Sequence, residues 1–426
     1  MDKPNNLGAN WQQLRKPRLP EGEGMEGMAA PAGETRKTKE KVMDFNLTVD
    51  QELLLESIDE FAERYFDEET VNAMYDNHGI PDEIGEAYRD AGFAFMGLPE
   101  EVGGIPCDKL TLGLMTERLY HATGCMTPFM TAMLAVADVA EFGTPEQAEL
   151  IVEQYNKSGR PVASLALSEP GAGSDNKAMS TYTKRQEDGT YILNGQKTWV
   201  TNGGNTPYML IIAKDEHPAH ANESMSLWLV PTDIEGLSTA PLEKIGQQII
   251  PFVDVFFDEV RLTEDMRIGK EGEGFLLLMK NFEIERCLVV AQSLGLAQAC
   301  MDDAAAYANE RYAFGKPIGW NPMIQDMLAE METILENSRN MLYKTLWQLD
   351  QGQSVRVEAA LLKRYATVGC TKVADMALEI FAALGYTTAS RVGRIWTDLR
   401  GNQLAGGTVE IMSYIAGRQI LKNYAK

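Results

Sequence analysis

At 426 residues the chain is long enough for a large core and for two or three domains. A formal net charge of −23 argues against nucleic acid or an anionic membrane as the main partner. Five cysteines (Cys107, Cys125, Cys287, Cys300, Cys370), odd in number and widely spaced, form neither a disulfide framework nor a zinc pattern, so the expected compartment is a reducing one, the cytoplasm. The four histidines, His78, His121, His217 and His220, are scattered, and no metal site is expected; His217 and His220 share a polar loop and a solvent role. No stretch approaches the length of a membrane span.

Residues 1–42 are rich in Pro, Gly, Asn and Glu and carry no apolar period, so they read as a flexible N-terminal extension. They lack the apolar core of a secretory signal and hold too many acids for a mitochondrial presequence. Residues 43–161 are helical in character. Leu53, Leu54, Ile58, Phe61 and Ala62 recur at helix spacing, with Thr48 as N-cap and Gln51 three residues on. Pro99–Gly104 is a loop, and Leu110–Tyr120 and Met126–Phe142 are further helical runs, the second apolar and buried.

From Val162 the period changes to two. Strands are predicted over Val162–Leu167, Tyr191–Thr201, Tyr208–Ala213, Ser226–Val230 and Val253–Phe257, giving a β domain over 162–271. Gln186–Gly189 reads as a hairpin turn. Helix spacing returns from 272 to 426, with long runs near 272–311, 321–351, 354–384 and 408–424.

The most informative stretch is Ala166-Leu-Ser-Glu-Pro-Gly-Ala-Gly-Ser-Asp175. Pro170, Gly171 and Gly173 force an irregular loop after a strand, so Ser168, Ser174 and the loop amides become donors aimed outward. The strand from Tyr191 brings Trp199 and Thr201 to the same edge. Such a surface suits a flat aromatic cofactor with polar ring edges and a phosphate tail. The competing reading is a hairpin with a Gly-rich turn and a core tryptophan.

Leu167-Ser-Glu-Pro-Gly-Ala-Gly-Ser-Asp175, followed by Leu193-Asn-Gly-Gln-Lys-Thr-Trp-Val-Thr-Asn-Gly-Gly204, resembles the flavin-binding segments of the acyl-CoA dehydrogenase family. The likeness runs from about Met43, with Met43-Asp-Phe45 as the start of the family domain, to Lys426. It implies a mainly α fold with a central β domain: an N-terminal helical domain, a middle β-barrel or sandwich, and a C-terminal four-helix bundle. It implies FAD, a CoA thioester substrate, and chemistry at the α,β carbons. Leu167, Ser168, Trp199, Thr201, Thr408 and Glu410 fall on cofactor-contacting positions, and Ser174, Glu283 and Arg286 on the substrate side. Arg311-Tyr-Ala-Phe314-Gly315 resembles the segment that reaches the FAD pyrophosphate and adenine across a dimer, where the planar fork of Arg311 suits a diphosphate. A homotetramer built as a dimer of dimers is therefore expected. The chain has no Gly-x-Gly-x-x-Gly element between a strand and a helix, so an electron-transfer flavoprotein is the expected redox partner rather than NADH.

Removing a proton next to a thioester needs a carboxylate in a dry pocket, where its affinity for the proton rises toward working pH. Glu285 stands in Leu278-Met-Lys-Asn-Phe282-Glu-Ile-Glu285-Arg-Cys-Leu288-Val289, with Asn281, Phe282, Leu288 and Val289 three and four positions away, on a mostly apolar stripe. On geometry alone two readings stand: a base, or a partly buried glutamate satisfied by a distant cation. Arg286 is not its helix-face partner, because adjacent residues point apart. Many family members carry the base in a C-terminal loop before a Gly-Thr pair; that stretch here is Leu404-Ala-Gly406-Gly407-Thr408, with no carboxylate. Other members carry it just before an Arg on the helix that matches Glu285. Glu285 is therefore the first candidate, and Glu410, near the loop, the second.

Four positions depart from the family pattern. Pro322 and Glu379 replace glutamines, and Ala382-Ala383 replaces a Gly-Gly pair, all where the family approaches the adenosine half of FAD from a partner subunit. Ala blocks close backbone approach, and Glu repels a diphosphate. Three functions remain open: an acyl-CoA dehydrogenase, or the same machine in reverse as an enoyl-CoA reductase; a flavin monooxygenase or oxidase on the same fold; and a non-catalytic subunit of a heteromeric assembly. Within the family, Met43-Asp-Phe-Asn-Leu47, Asn340-Met-Leu-Tyr343 with Trp347, and Arg394-Ile-Trp-Thr-Asp-Leu-Arg400 are similar to the crotonobetainyl-CoA reductase branch.

Overall fold

The computed structural model describes residues 46–216 and 224–425. The expected N-terminal extension, the start at Met43–Phe45 and the His217–His220 loop lie outside the described residues.

Helix α1 (Val49–Tyr65) starts on a capping box. Thr48 Oγ1 accepts from the Gln51 amide at 3.2 Å, and Gln51 Oε1 accepts from the Thr48 amide at 3.0 Å. Five more helices follow: α2 (Glu68–Asp76), α3 (Asp82–Asp90), α4 (Lys109–Thr123), α5 (Phe129–Phe142) and α6 (Pro145–Ser158). As the apolar run predicts, α5 buries most of its length, including Phe129, Met133, Val136 and Val139.

The sheet domain comprises β1 (Ala163–Ala166), β2 (Tyr182–Arg185), β3 (Tyr191–Thr201), β4 (Tyr208–Asp215), β5 (Met225–Pro231), β6 (Leu237–Pro241), β7 (Phe252–Leu262) and β8 (Arg267–Ile268). Their order is β6-β7-β3-β2-β4-β5-β8. The strand β4 also pairs in parallel with β1, Ala163 against Tyr208 through Ala166 against Ile211. The Gln186–Gly189 turn closes the β2–β3 hairpin, with the Gln186 amide donating to Thr190 O at 2.8 Å and Gly189 at a φ of 85°. Trp228, Leu193, Val255 and Ile211 fill one face of the sheet.

The C-terminal part is built on α7 (Gly274–Glu310), whose middle from Arg286 to Leu296 is buried on every side. A helix so enclosed lies at the centre of a bundle rather than at its edge. After it come the short hairpin β9 (Tyr312–Ala313) and β10 (Lys316–Pro317), then α8 (Pro322–Asp350), α9 (Arg356–Phe381), α10 (Arg391–Asn402) and α11 (Val409–Asn423). Helices α4 and α7 cross at Gly295, where an added Cβ would meet Glu117 O at 2.2 Å, so a larger residue would push them apart. Helix α10 is the one long element of this part that the apolar period did not announce. From Leu47 to Lys426 these elements form one unit, and three of them, α5, α7 and α9, bring the candidate site together.

Candidate active site

The loop after β1 is organised from inside. Glu169 is buried, and its carboxylate accepts from the Ser180 amide at 2.5 Å, Ser180 Oγ at 2.8 Å, the Thr181 amide at 3.0 Å and Lys197 Nζ at 2.9 Å. Burial opposes the charge, but Lys197 and these donors outweigh it and bring Glu169 down to about 2. Lys197 also donates to Leu167 O at 3.0 Å, which pins the end of β1 to β3. A glutamate and a lysine buried without each other would be costly; paired, they fix one loop conformation.

The expectation of outward loop amides needs a correction at two positions. The Glu169 and Ala172 amides donate to each other's carbonyls, both at 3.0 Å, so the loop consumes these two itself. A backbone pair across a four-residue turn is the cheapest partner these groups can find. The Ser168, Ser174 and Thr201 hydroxyls, by contrast, have no hydrogen-bond partner among the described residues. Trp199 is not a core residue: it is 59 % exposed, at a φ of 58° in the left-handed region that bulky residues avoid. The register of β3 against β7 shifts between Lys197 and Val200, and this irregularity turns the indole out of the sheet.

The second half of the site lies between α7 and α9. Glu285 as a residue is half-buried. Burial raises its affinity for the proton, with Arg286 and Lys363 opposing. A Cβ added to Gly406 would lie 3.3 Å from Glu285 Oε1. The helix carboxylate and the loop position that carries no carboxylate therefore converge on one point. Gly406 and Gly407 have φ of 63° and 95°, and this left-handed pair brings the backbone flush against the glutamate.

Around Glu285 the expected residues divide. Arg286 is buried, its Nε has no partner, and its guanidinium lies 5.7 Å over the Phe282 ring. Glu283 Oε2 accepts from the Val355 amide at 2.9 Å, so one of its oxygens caps the start of α9. Thr408 caps α11, accepting from the Ile411 amide at 3.3 Å, and Glu410 stands exposed in the first turn, its own amide and Thr408 favouring its charge. Arg311 and Phe314 stand at the exposed β9–β10 hairpin, Phe314 at 98 % exposure, and make no hydrogen bond, ion pair or ring contact with the Ser168–Thr201 segment.

Two buried charged residues near Glu285 went unread in the sequence. Lys363 is buried in α9 and donates to Gly407 O at 2.8 Å and Asn402 O at 3.2 Å. Asp138 is buried in α5 and accepts from Asn281 Nδ2 at 2.5 Å. Lys363 carried one signal, a lone charge among Ala359, Ala360, Ala366 and Thr367, whereas Asp138 shares its helical face with Glu141. Among the described residues no cluster could hold a metal ion, and no helix is long and apolar enough to cross a membrane.

Helices, sheet and helices in this order, with a hydroxyl-and-indole edge on the sheet, define a class: the flavoprotein oxidoreductases of the dehydrogenase fold. Models of the acyl-CoA dehydrogenase N-terminal, middle and C-terminal domains match residues 48–157, 164–260 and 272–421, and the chain belongs to the acyl-CoA dehydrogenase family. It is 44 % identical over 385 residues to the probable acyl-CoA dehydrogenase YdiO of Escherichia coli strain K12, covering 90 % of this chain and 99 % of that protein. An acyl-CoA dehydrogenase structure from Slackia heliotrinireducens aligns at 33 % identity with a TM-score of 0.79, over 90 % of this chain and 99 % of that one. Butyryl-CoA dehydrogenase from Megasphaera elsdenii aligns at 28 % and 0.82, over 89 % and 100 %. PigA, solved as an FAD complex, and the prolyl acyl carrier protein oxidase AnaB each align at 25 % identity, with TM-scores of 0.83 and 0.81.

Proposed function

We propose that this chain is an FAD-dependent oxidoreductase acting on the α,β carbon–carbon bond of an acyl-CoA thioester, with Glu285 as the base. The observation that carries the proposal is the 3.3 Å separation between Glu285 Oε1 and the Cβ position of Gly406. A carboxylate reaching that point from α7 does the work that the C-terminal loop does in other members.

The sheet edge suits the cofactor. An exposed indole offers a flat face, and the unpartnered Ser168 and Thr201 hydroxyls offer hydrogen bonds to polar ring edges. Leu167, Thr408 and Glu410 complete the flavin end, while Arg311 and Phe314 serve the cofactor of a neighbouring subunit. FAD, when bound there, supplies the acceptor for the hydride that leaves the β carbon. Glu285 Oε1 takes the proton from the carbon next to the thioester carbonyl. Burial raises its proton affinity toward working pH. Arg286, buried and without a partner for Nε, brings positive charge beside the developing negative charge, and Ser174 and Glu283 lie on the substrate side.

Run in reverse, the same groups reduce an enoyl-CoA, with Glu285 returning its proton; the likeness to the crotonobetainyl-CoA reductase branch supports this direction. Electrons then pass through an electron-transfer flavoprotein, and the subunits form a homotetramer in the cytoplasm. The alignment with AnaB supports a second reading, an oxidase that returns electrons to oxygen. Exposed Glu379 and Ala382 at the end of α9 support a third, a subunit that shares its cofactor with a homologue. One experiment separates them. The purified protein, reconstituted with FAD, is mixed anaerobically with a panel of acyl-CoAs, and the reduced protein is then offered enoyl-CoAs or oxygen. Bleaching by an acyl-CoA and reoxidation by the matching enoyl-CoA are expected. Reoxidation by oxygen at a comparable rate favours the oxidase, and a chain that stays colourless with excess FAD sinks the proposal.

A further inference from the structure

Lys363 occupies an unusual place for a lysine. Its side chain is fully buried, and so are Ala359, Ala360, Ala366 and Thr367, three and four positions away on the same face of α9. A buried ammonium persists only where its donors and its charge find partners. Two donors go to the Gly407 and Asn402 carbonyls, at 2.8 Å and 3.2 Å, the two ends of the turn that contains Gly406. A Cβ on Gly406 would lie 3.6 Å from Lys363 Cε and 3.3 Å from Glu285 Oε1. The lysine, the turn and the carboxylate thus meet at one glycine. On the other side of Glu285, Asn281 stands one helical turn back on α7 and donates to buried Asp138 of α5 at 2.5 Å.

We infer that Lys363 is the positioning residue of the base: it clamps the 402–407 turn against the Glu285 carboxylate and supplies positive charge beside that of Arg286. The inference rests on the reading of Glu285 as the base, but its primary measurement does not need catalysis.

The charges that bear on the pair can be named element by element. Glu285 faces Lys363 from α9, Asp138 from α5, and Arg286 on its own helix. Lys363 faces Glu285 and Arg286 from α7 and Glu410 from α11. Burial pushes Lys363 down to about 8, with Glu285 and Glu410 holding it up, so it is still mostly charged at neutral pH. Burial, together with Glu285 and Glu141, pushes Asp138 up to about 7 against the Asn281 bond. Glu285 therefore ionises against burial, with Arg286 and Lys363 assisting.

The test is a pH titration of the FAD-loaded protein by difference infrared spectroscopy. The protonated-carboxyl band that disappears in Glu285→Gln reports Glu285 itself. Lys363→Gln removes the charge but keeps two N–H donors for the two carbonyls, and its midpoint should move to higher pH by about 1 pH unit or more, the size expected of a nearby opposite charge. Lys363→Arg should return it toward the parent value. A parallel reading comes from anaerobic flavin reduction by butyryl-CoA and octanoyl-CoA, whose rising limb should shift in the same directions. An unmoved midpoint in Lys363→Gln, or an equal shift in Lys363→Arg, overturns the inference and leaves Lys363 a purely structural clamp. If Lys363→Gln does not fold, Lys363→Met takes its place, and a midpoint that fails to rise overturns it. Glu285→Gln reducing flavin at the parent rate would instead remove the base assignment, while the infrared titration still reads the charge coupling.

Discussion

Two carboxylates lie close to the C-terminal loop, and their surroundings differ in every respect that matters to proton transfer. Glu285 sits between α7 and the Gly406 turn, where burial raises its affinity for a proton. Glu410 sits exposed at the start of α11, where its own amide and Thr408 favour the ionised form. Both lie near the Gly406 turn in sequence or in space, so nearness to the loop does not distinguish them. Environment does: a base must hold a proton once it has taken it, and only the enclosed carboxylate is set to do so.

The largest expected effect breaks this comparison at its stronger side. Glu285→Gln keeps shape and hydrogen-bonding reach but loses the acceptor, and general acid–base groups typically contribute ~10²–10⁴-fold. Flavin reduction by acyl-CoA should slow by that order, with flavin content and thioester binding retained. Glu410→Gln should slow it far less and release more cofactor; the reverse outcome in stopped-flow traces places the base in the C-terminal segment.

The pH dependence sharpens the same contrast. A carboxylate raised by burial ionises only above the ordinary glutamate value of about 4.3. Because the ionised form is the working base, the rate of flavin reduction should climb with pH through a midpoint above that value. Stability runs the other way. The folded state prefers the protonated form more strongly than the unfolded chain does, so the Glu285 contribution weakens as pH rises through the window between the two values. At pH 7 to 8 Glu285→Gln should therefore unfold at a urea concentration equal to or above the parent's. A lower midpoint there means that the ionised carboxylate is stabilised in the native state, contrary to its placement.

The sheet edge gives the next effect in size. Trp199 is 59 % exposed, so Trp199→Ala removes little packing from the fold. It should leave the urea midpoint within about 0.5 kcal/mol of the parent, the usual range for surface substitutions, while weakening flavin retention on a desalting column. Loss of stability with flavin retained would make the indole structural.

Much of this arrangement was legible because local rules and tertiary structure agree. The Thr48–Gln51 box, the Gln186–Gly189 turn, the strands β3 and β7 and the amphipathic helices follow patterns that packing then uses, while β4 and β5 form where expected but are buried on both faces. Helix α10 was hidden: its buried face reads Val392, Ile395, Asp398, Leu399 and Asn402, two of the five polar. Strands β2 and β6 were hidden because they are short and mostly exposed, with Thr183 the one buried residue of β2. Lys363 and Asp138 were hidden for a different reason. A pattern argument treats a charge as a mark of the surface, whereas long-range neighbours accept these two charges into the interior. Glu285 is the proposed base because its apolar stripe and the family resemblance point the same way.

The smallest expected effect concerns the other end of the proposed cofactor. The sheet edge carries the phrase that resembles the family's flavin-binding segment, while the end of α9 is where the resemblance is expected to break. Ala382 has φ 52° and ψ −135°, a conformation for which glycine is suited and alanine is not. Its exposed methyl group makes no packing contribution that would compensate. Ala382→Gly should relieve about 1 kcal/mol of backbone strain. It also frees the unfolded chain, at an entropic cost of ~0.4–1 kcal/mol. The two nearly cancel, so the urea midpoint should rise by ~0.5 kcal/mol or stay level. Cofactor retention is the sharper readout, since a glycine there lets the backbone approach a diphosphate that a methyl group keeps at a distance. Ala382→Gly combined with Glu379→Gln, which removes an exposed negative charge from the same helix end, should hold FAD more tightly than the parent by equilibrium dialysis. A drop in stability above 1 kcal/mol would show that the alanine fits its backbone without strain. Unchanged FAD affinity in the double variant would show that the diphosphate does not approach this helix end, and the departures there would then carry no consequence for the cofactor.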